Sequence, residues 1–215
     1  MPELDFRVTG VEAAARGLVP LLHFHLEVTN SPQTEQIQSV ILQAQIQIQS
    51  AHRSYDGEEK DKLADLFGTP ERWGQTLRNR LWVHSNTTVR PFKEKTTTVL
   101  PVQCTYDLNV TATKYFYSLK EGGVPLLFLF SGTSFYASPD GHLQVQQISW
   151  DRECTYQMPV RVWQELMEHH YPNSTWLSLH RPVFERLYAY KRSQGLPTWE
   201  QTIERLLENY ESEHG

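Results

Sequence analysis

His23, His25 and Glu27 are the residues whose types and spacing come nearest to chemistry. Alternating along a strand, they would project from one face about 7 Å apart, and two imidazoles with a carboxylate are a partial donor set for a divalent metal. A further ligand would have to come from His84 or His142, so an ordinary outward polar face is expected and metal handling is the alternative. His169 and His170 are adjacent on an expected helix, diverge by about 100° and cannot chelate as neighbours. Phe130-Ser131-Gly132-Thr133-Ser134 is the nearest approach to a nucleophile elbow but lacks the first glycine and lies between strands, so Ser131 is expected to be structural. Gly122-Gly123 is expected to join two strands, which leaves no helix N-terminus to cradle a phosphate. Asp151 and Glu153 share a strand parity near a strand end, where solvation is the plain explanation. No catalytic or cofactor-binding residue is expected, and the chain reads as a non-enzyme.

Charge and cysteine narrow the partners. Of 215 residues, 20 are Lys or Arg and 25 are Asp or Glu, a formal charge of −5. From Thr198 onward Glu200, Glu204, Glu208, Glu211 and Glu213 stand against Arg205, so the body before them is near neutral. Neither the basic face of a nucleic-acid binder nor the basic stripe of a membrane-surface protein is visible. The N-terminal residues form no secretory signal, and the longest apolar run, Val124 to Phe130, is too short to span a bilayer; a cytoplasmic location is expected. Cys104 and Cys154, the only cysteines, sit at inward strand positions and are expected as buried reduced thiols.

Elements that could position such residues follow from period. Leu4, Phe6 and Val8, then Leu22, Phe24, Leu26 and Val28, alternate with polar neighbours as half-buried strands do. In the next run Val40, Leu42, Ala44, Ile46 and Ile48 share one face, and Gln43, Gln45, Gln47 and Gln49 form a glutamine ladder on the other. Residues 50–95 break the pattern: Asp56 opens a short helix that Gly68 ends, and Thr69-Pro70 starts another. This insertion carries Trp73, Trp82 and Phe92, too aromatic for an idle loop. Alternation is expected to run from Thr98 through Ala112. Val124 to Phe130 is apolar on both parities, a strand hidden on both faces. Ser138-Pro139-Asp140-Gly141 is a hairpin turn before a strand over 143–150, where a parity change suggests a bulge near Gln146-Gln147. Helices follow from Pro159, from Pro182 and from Thr198, the last opened by a capping box with Gln201.

Strands first and helices last give an α+β order. The expected fold is an antiparallel sheet, SecB-like or sandwich-like, with the helical insertion and three C-terminal helices packed on the sheet, covering the doubly apolar strand. It is expected as one domain, β-rich over 1–158 and helical over 159–215. With about 70% of the unfolded chain's surface available for burial, the core needs no metal or disulfide. Candidate partner-binding residues are Trp73, Trp82 and Phe92 in the insertion and Gln43, Gln45 and Gln47 on the ladder.

Cys104-Thr105-Tyr106-Asp107, Ala112-Thr113-Lys114-Tyr115, the run Pro125 to Thr133, Tyr171-Pro172-Asn173-Ser174 and Leu196-Pro197-Thr198-Trp199 resemble an uncharacterised bacterial family encoded in gene clusters for high-affinity nickel-iron hydrogenases. The resemblance covers nearly the full length. It implies an accessory role in hydrogenase assembly or maturation, with a hydrogenase subunit or maturation factor as partner, and supplies no catalytic residues. Met158-Pro159, Leu177-Ser178-Leu179 and Pro182-Val183-Phe184 followed by Leu187 and Tyr190 are similar to the second half of the SecB export chaperones. That likeness implies a sheet backed by helices, a chaperone-like grip on other proteins and a chain open to self-association.

Overall fold

The computed structural model describes residues 2–14, 17–33, 35–105 and 110–214. They fall into two compact units, residues 1–174 and 175–215.

The first unit is built on alternation. β1 (Glu3–Ala13), β2 (Leu21–Ser31) and β5 (Lys95–Gln103) make one antiparallel sheet in the order β1-β2-β5. A second sheet runs β4-β3-β6-β7, from β3 (Gln36–Ile48), β4 (Arg80–Val89), β6 (Gly123–Ala137) and β7 (Leu143–Gln147), with β8 (Glu153–Pro159) also paired to β6. The apolar parity of each sheet faces the other. Phe6 stacks on Phe130 with centroids 4.7 Å apart, and Phe24 meets Phe128 edge-on at 5.2 Å. Aromatic pairs of this geometry add about 0.5–1.5 kcal/mol each beyond the area they hide. The sheets also meet at an edge, where the Ser85 hydroxyl of β4 donates to the Pro101 carbonyl of β5. Where the chain crosses between sheets after β2, buried Asn30 donates from Nδ2 to the carbonyls of Glu35 and Lys93, at 3.1 and 3.0 Å.

Helices fill one end of this sandwich. α1 (Gly57–Phe67) starts at Asp56, whose carboxylate accepts from the Glu59 backbone N–H at 2.8 Å while Glu59 accepts from Asp56 N at 3.3 Å, a complete capping box. Gly68, at φ 75°, ends it. A short 3-10 turn leads to α2 (Trp73–Thr76), and after β5 comes α3 (Val110–Ser118). α4 (Val160–His170) packs against β1, β2, β8 and α3. An aromatic path runs inward from Trp163 through Phe116 and Trp82 to Phe24.

Several sequence expectations need correction here. The alternation expected through Ala112 stops at Gln103, and Val110–Ser118 is helical; Gly122-Gly123 therefore joins a helix to a strand. Tyr106 and Leu108, expected inward on that strand, lie outside the described residues. The 50–95 insertion is helical only as far as Thr76, after which β4 completes the second sheet. No bulge marks Gln146-Gln147: the parity changes because β7 ends there and Ile148 only bonds its N–H to the Gly132 carbonyl. In the first unit α4, the first of the three C-terminal helices, packs against β1, β2 and β8, while Leu127 and Leu129 of β6 share the outward parity of Gln47 and Gln45. Those two leucines are half-buried among cross-strand neighbours.

The second unit holds α5 (Arg181–Ser193) and α6 (Trp199–His214). Phe184 and Tyr188 of α5 lean on Trp199, at 5.3 and 6.1 Å. Lys191 donates to the Leu196 and Pro197 carbonyls and closes the turn between the helices.

Candidate functional site

β2 does place His23, His25 and Glu27 on one face, but each has other company. His23 is opposite Glu12 in the ladder, and His25 Nε2 lies 3.2 Å from Glu12 Oε1. Glu27 is held by Lys95 and by Arg7, whose Nη2 is 2.7 Å away, and these two cations hold its carboxyl below the usual carboxylate range. Among the described residues no group of three or more His, Cys, Asp and Glu is placed to share a metal ion.

The other chemical candidates are likewise dispersed. The Ser131 hydroxyl faces Gln43 Oε1 at 3.5 Å on the outside of the second sheet. His170 Nδ1 lies 2.9 Å from the Leu166 carbonyl. Arg152, beside a cleft of about 360 Å³ at the start of β1, is already approached by Glu3 and Asp151 at 3.7 Å each. Cys104 is buried, and desolvation pushes its thiol far up; Cys154 is half-buried and shifted the same way.

The insertion's aromatics go inside. Trp73, Trp82 and Phe92 are 6%, 5% and 7% exposed. Trp73 donates from Nε1 to the Gly68 carbonyl at 2.9 Å, and Trp82 meets Phe116 at 4.9 Å. They hold helices and the β4 edge to the core and offer no rings at the surface.

The glutamine ladder behaves differently. Gln43, Gln45 and Gln47 point away from the core, Gln43 exposed and the other two half-buried. Strand pairing widens them into a face: Gln43 lies between Asn86 and Ser131, Gln45 between His84 and Leu129, Gln47 between Leu81 and Leu127. Ile41 extends the β3 row, and Val145 and Leu143 of β7 continue the face outward, 60% and 64% exposed. Among the described residues Glu153 is the one Asp, Glu, Lys or Arg that pairing places on this face. The outer face of the first sheet carries Asp5, Arg7, Glu27 and Lys95, and Arg7 and Lys95 both pair with Glu27. Nothing in the sequence of a single strand displays this contrast; it arises when pairing sets β4, β6, β7 and β8 beside the ladder. The face can accept and donate amide hydrogen bonds and bury aliphatic carbon.

Antiparallel sheets packed face to face, plugged at one end by helices, define an α+β protein. No helix among the described residues is long and apolar enough to cross a membrane. The chain belongs to a family of unknown function, DUF6084, whose model matches residues 1–215. No curated protein matches it in sequence. Solved structures that match it weakly include the following two. One is the putative ApaA protein from Bordetella pertussis, 12% identical over 73% of this chain and 94% of that one, with a TM-score of 0.24. The other is a putative late embryogenesis abundant protein, 12% identical over 74% of this chain and 72% of that one, with a TM-score of 0.29.

Proposed function

We propose that this protein is a non-enzymatic accessory that binds another protein through the outer face of its second sheet, centred on Gln43, Gln45 and Gln47. The observation that supports this reading is the near absence of charge from a face built from five strands in a chain whose residues are 21% charged. Depletion of charge at the centre, with aliphatic residues and hydrogen-bonding amides left behind, is the compositional mark of a protein interface. A solvated sheet face has no reason to exclude Lys and Glu, which also protect sheets from aggregation.

The partner to try first is a nickel-iron hydrogenase subunit or maturation factor, on the strength of the sequence resemblance. The test is co-purification from cells expressing the hydrogenase genes, with the wild-type chain and a Gln45→Glu/Leu127→Glu variant as baits. Both positions face outward, so the variant keeps its circular dichroism spectrum, and retention of the partner falls at least tenfold. Equal retention by the two baits removes the sheet face from the function; no retained protein in either removes the accessory role.

A further inference from the structure

We infer that residues 175–215 form a self-association element, in which α5 of one copy lies against α6 of a second copy and the two helix pairs make a four-helix interface. This stands apart from the sheet-face reading and uses different residues.

The unit does not bury itself. Thr202 is its one buried residue among those described. On α6, Ile203, Leu206, Leu207 and Tyr210 follow i, i+3, i+4, i+7 spacing and remain exposed, the last two at 55% and 62%. On α5, Val183, Phe184 and Tyr188 are nearly half exposed even though two of them touch Trp199. A pair of helices this short cannot be held by propensity alone and needs an apolar face covered. An apolar groove of about 380 Å³ opens between Leu179, Phe184, Trp199 and Ile203 within the unit.

Charge says what covers it. α5 carries Arg181, Arg186, Lys191 and Arg192 against Glu185, while α6 carries five glutamates against Arg205. Among the described residues no ion pair joins the two helices within one chain; the helical pairs Arg181–Glu185 and Arg205–Glu208 are each internal. A two-fold arrangement sets the basic helix of each copy on the acidic helix of the other, so both apolar stripes are flanked by opposite charge. Seven apolar side chains, each about half exposed, amount to roughly 600 Å² per copy, and the pair hides about 1,200 Å², the lower end of a specific interface. Helix bundles of four are the common solution for such faces.

Sedimentation equilibrium of the full chain tests this. The expected mass is twice 25.1 kDa, falling to 25.1 kDa in a Leu207→Glu/Tyr210→Glu variant, whose altered side chains are already exposed in a single copy. Two further full-length variants read the charges: Glu200→Lys/Glu204→Lys/Glu208→Lys makes both helices basic, and Arg186→Glu/Arg192→Glu makes both acidic. Each alone dissociates at higher concentration than wild type, and an equimolar mixture regains the dimer. A monomeric wild-type chain, with these helices covered by the chain's own sandwich or by another protein, overturns the proposal. So does a Leu207→Glu/Tyr210→Glu variant that stays dimeric, or a mixture that stays apart.

Discussion

Arg53 and Glu59 form a buried ion pair, Nη2 to Oε1 2.8 Å, with side chains only 9% and 5% exposed. Arg53 also donates to the carbonyls of Gly123 and Glu121, at 2.7 Å each, and Glu59 Oε1 accepts from Lys120 N at 2.9 Å. The pair thus ties the start of α1 to the turn that leads into β6. Removing one partner strands the other charge away from water, at a cost of about 3–5 kcal/mol. Glu59→Ala and Arg53→Ala should each lower the unfolding free energy measured in urea by that amount, and Arg53→Met/Glu59→Leu should cost less than either single change. A double variant as unstable as the sum of the singles would show that the pair is not the linkage described.

Gly132 lies in β6 at φ 134°, and a Cβ there would collide with the Ile41 carbonyl oxygen of β3. Strand pairing at this point depends on the missing side chain. Gly132→Ala should destabilise by more than about 2 kcal/mol in urea unfolding, above the usual effect of a point change. Gly74→Ala, where nothing lies within 4 Å, is the matched control and should be near neutral.

Acid should weaken the fold in a defined window. Hydrogen bonds from Lys120 and Lys62 hold the Glu58 carboxyl down to about 2 from 4.5; Lys95 and Arg7 lower Glu27, and the Glu59 backbone N–H lowers Asp56. A carboxyl with a depressed folded-state pKa contributes stability above its unfolded value and loses it as pH falls through the folded value. The urea midpoint is therefore expected to hold from neutral pH to about 4.5 and to decline towards about 2. Glu58 and Asp56 are exposed, so salt should shrink their share, while Glu27, its side chain 14% exposed, should be screened less. Glu58→Gln and Glu27→Gln should flatten the decline, and unchanged slopes in both would refute the assignment.

Thiol reactivity reports on the core. Cys104 is 5% exposed with its thiol directed at the Val102 carbonyl, and burial raises both cysteines. Only the thiolate attacks a disulfide reagent, so the native chain should react slowly and Cys104 only on unfolding. Two equivalents consumed at once under native conditions would contradict the described packing.

The strands were readable because every other residue along β1, β2 and β3 is apolar, and because Asp56 with Glu59 writes a capping box. α3 was missed for a physical reason. Val110, Thr111 and Thr113 are β-branched and continue the parity of the preceding strand, yet Ala112, Tyr115, Phe116 and Leu119 carry helical spacing, and burial against Trp82 and Trp163 decides for it. Trp73, Trp82 and Phe92 stood out as binding candidates because the insertion is too aromatic for an idle loop, and the same aromaticity is what buries all three. Gln43, Gln45 and Gln47 do point outward while Gln49 is buried; the breadth of their face depends on which strands pair, and pairing is not written in any local pattern.

β6 is fifteen residues long and lends one edge to two separate strands, pairing β8 through Leu129 and β7 from Thr133 onward. β7 hides almost nothing, since of its five residues only Gln146 is even half-buried. The two halves of that edge are consequently separable: β7 and its turn can peel away while β8 stays bonded. Amide hydrogens of Leu143–Gln147 should then exchange by a low-energy local opening, ahead of those in β8 and β3, making this hairpin the first piece of the sandwich to let go.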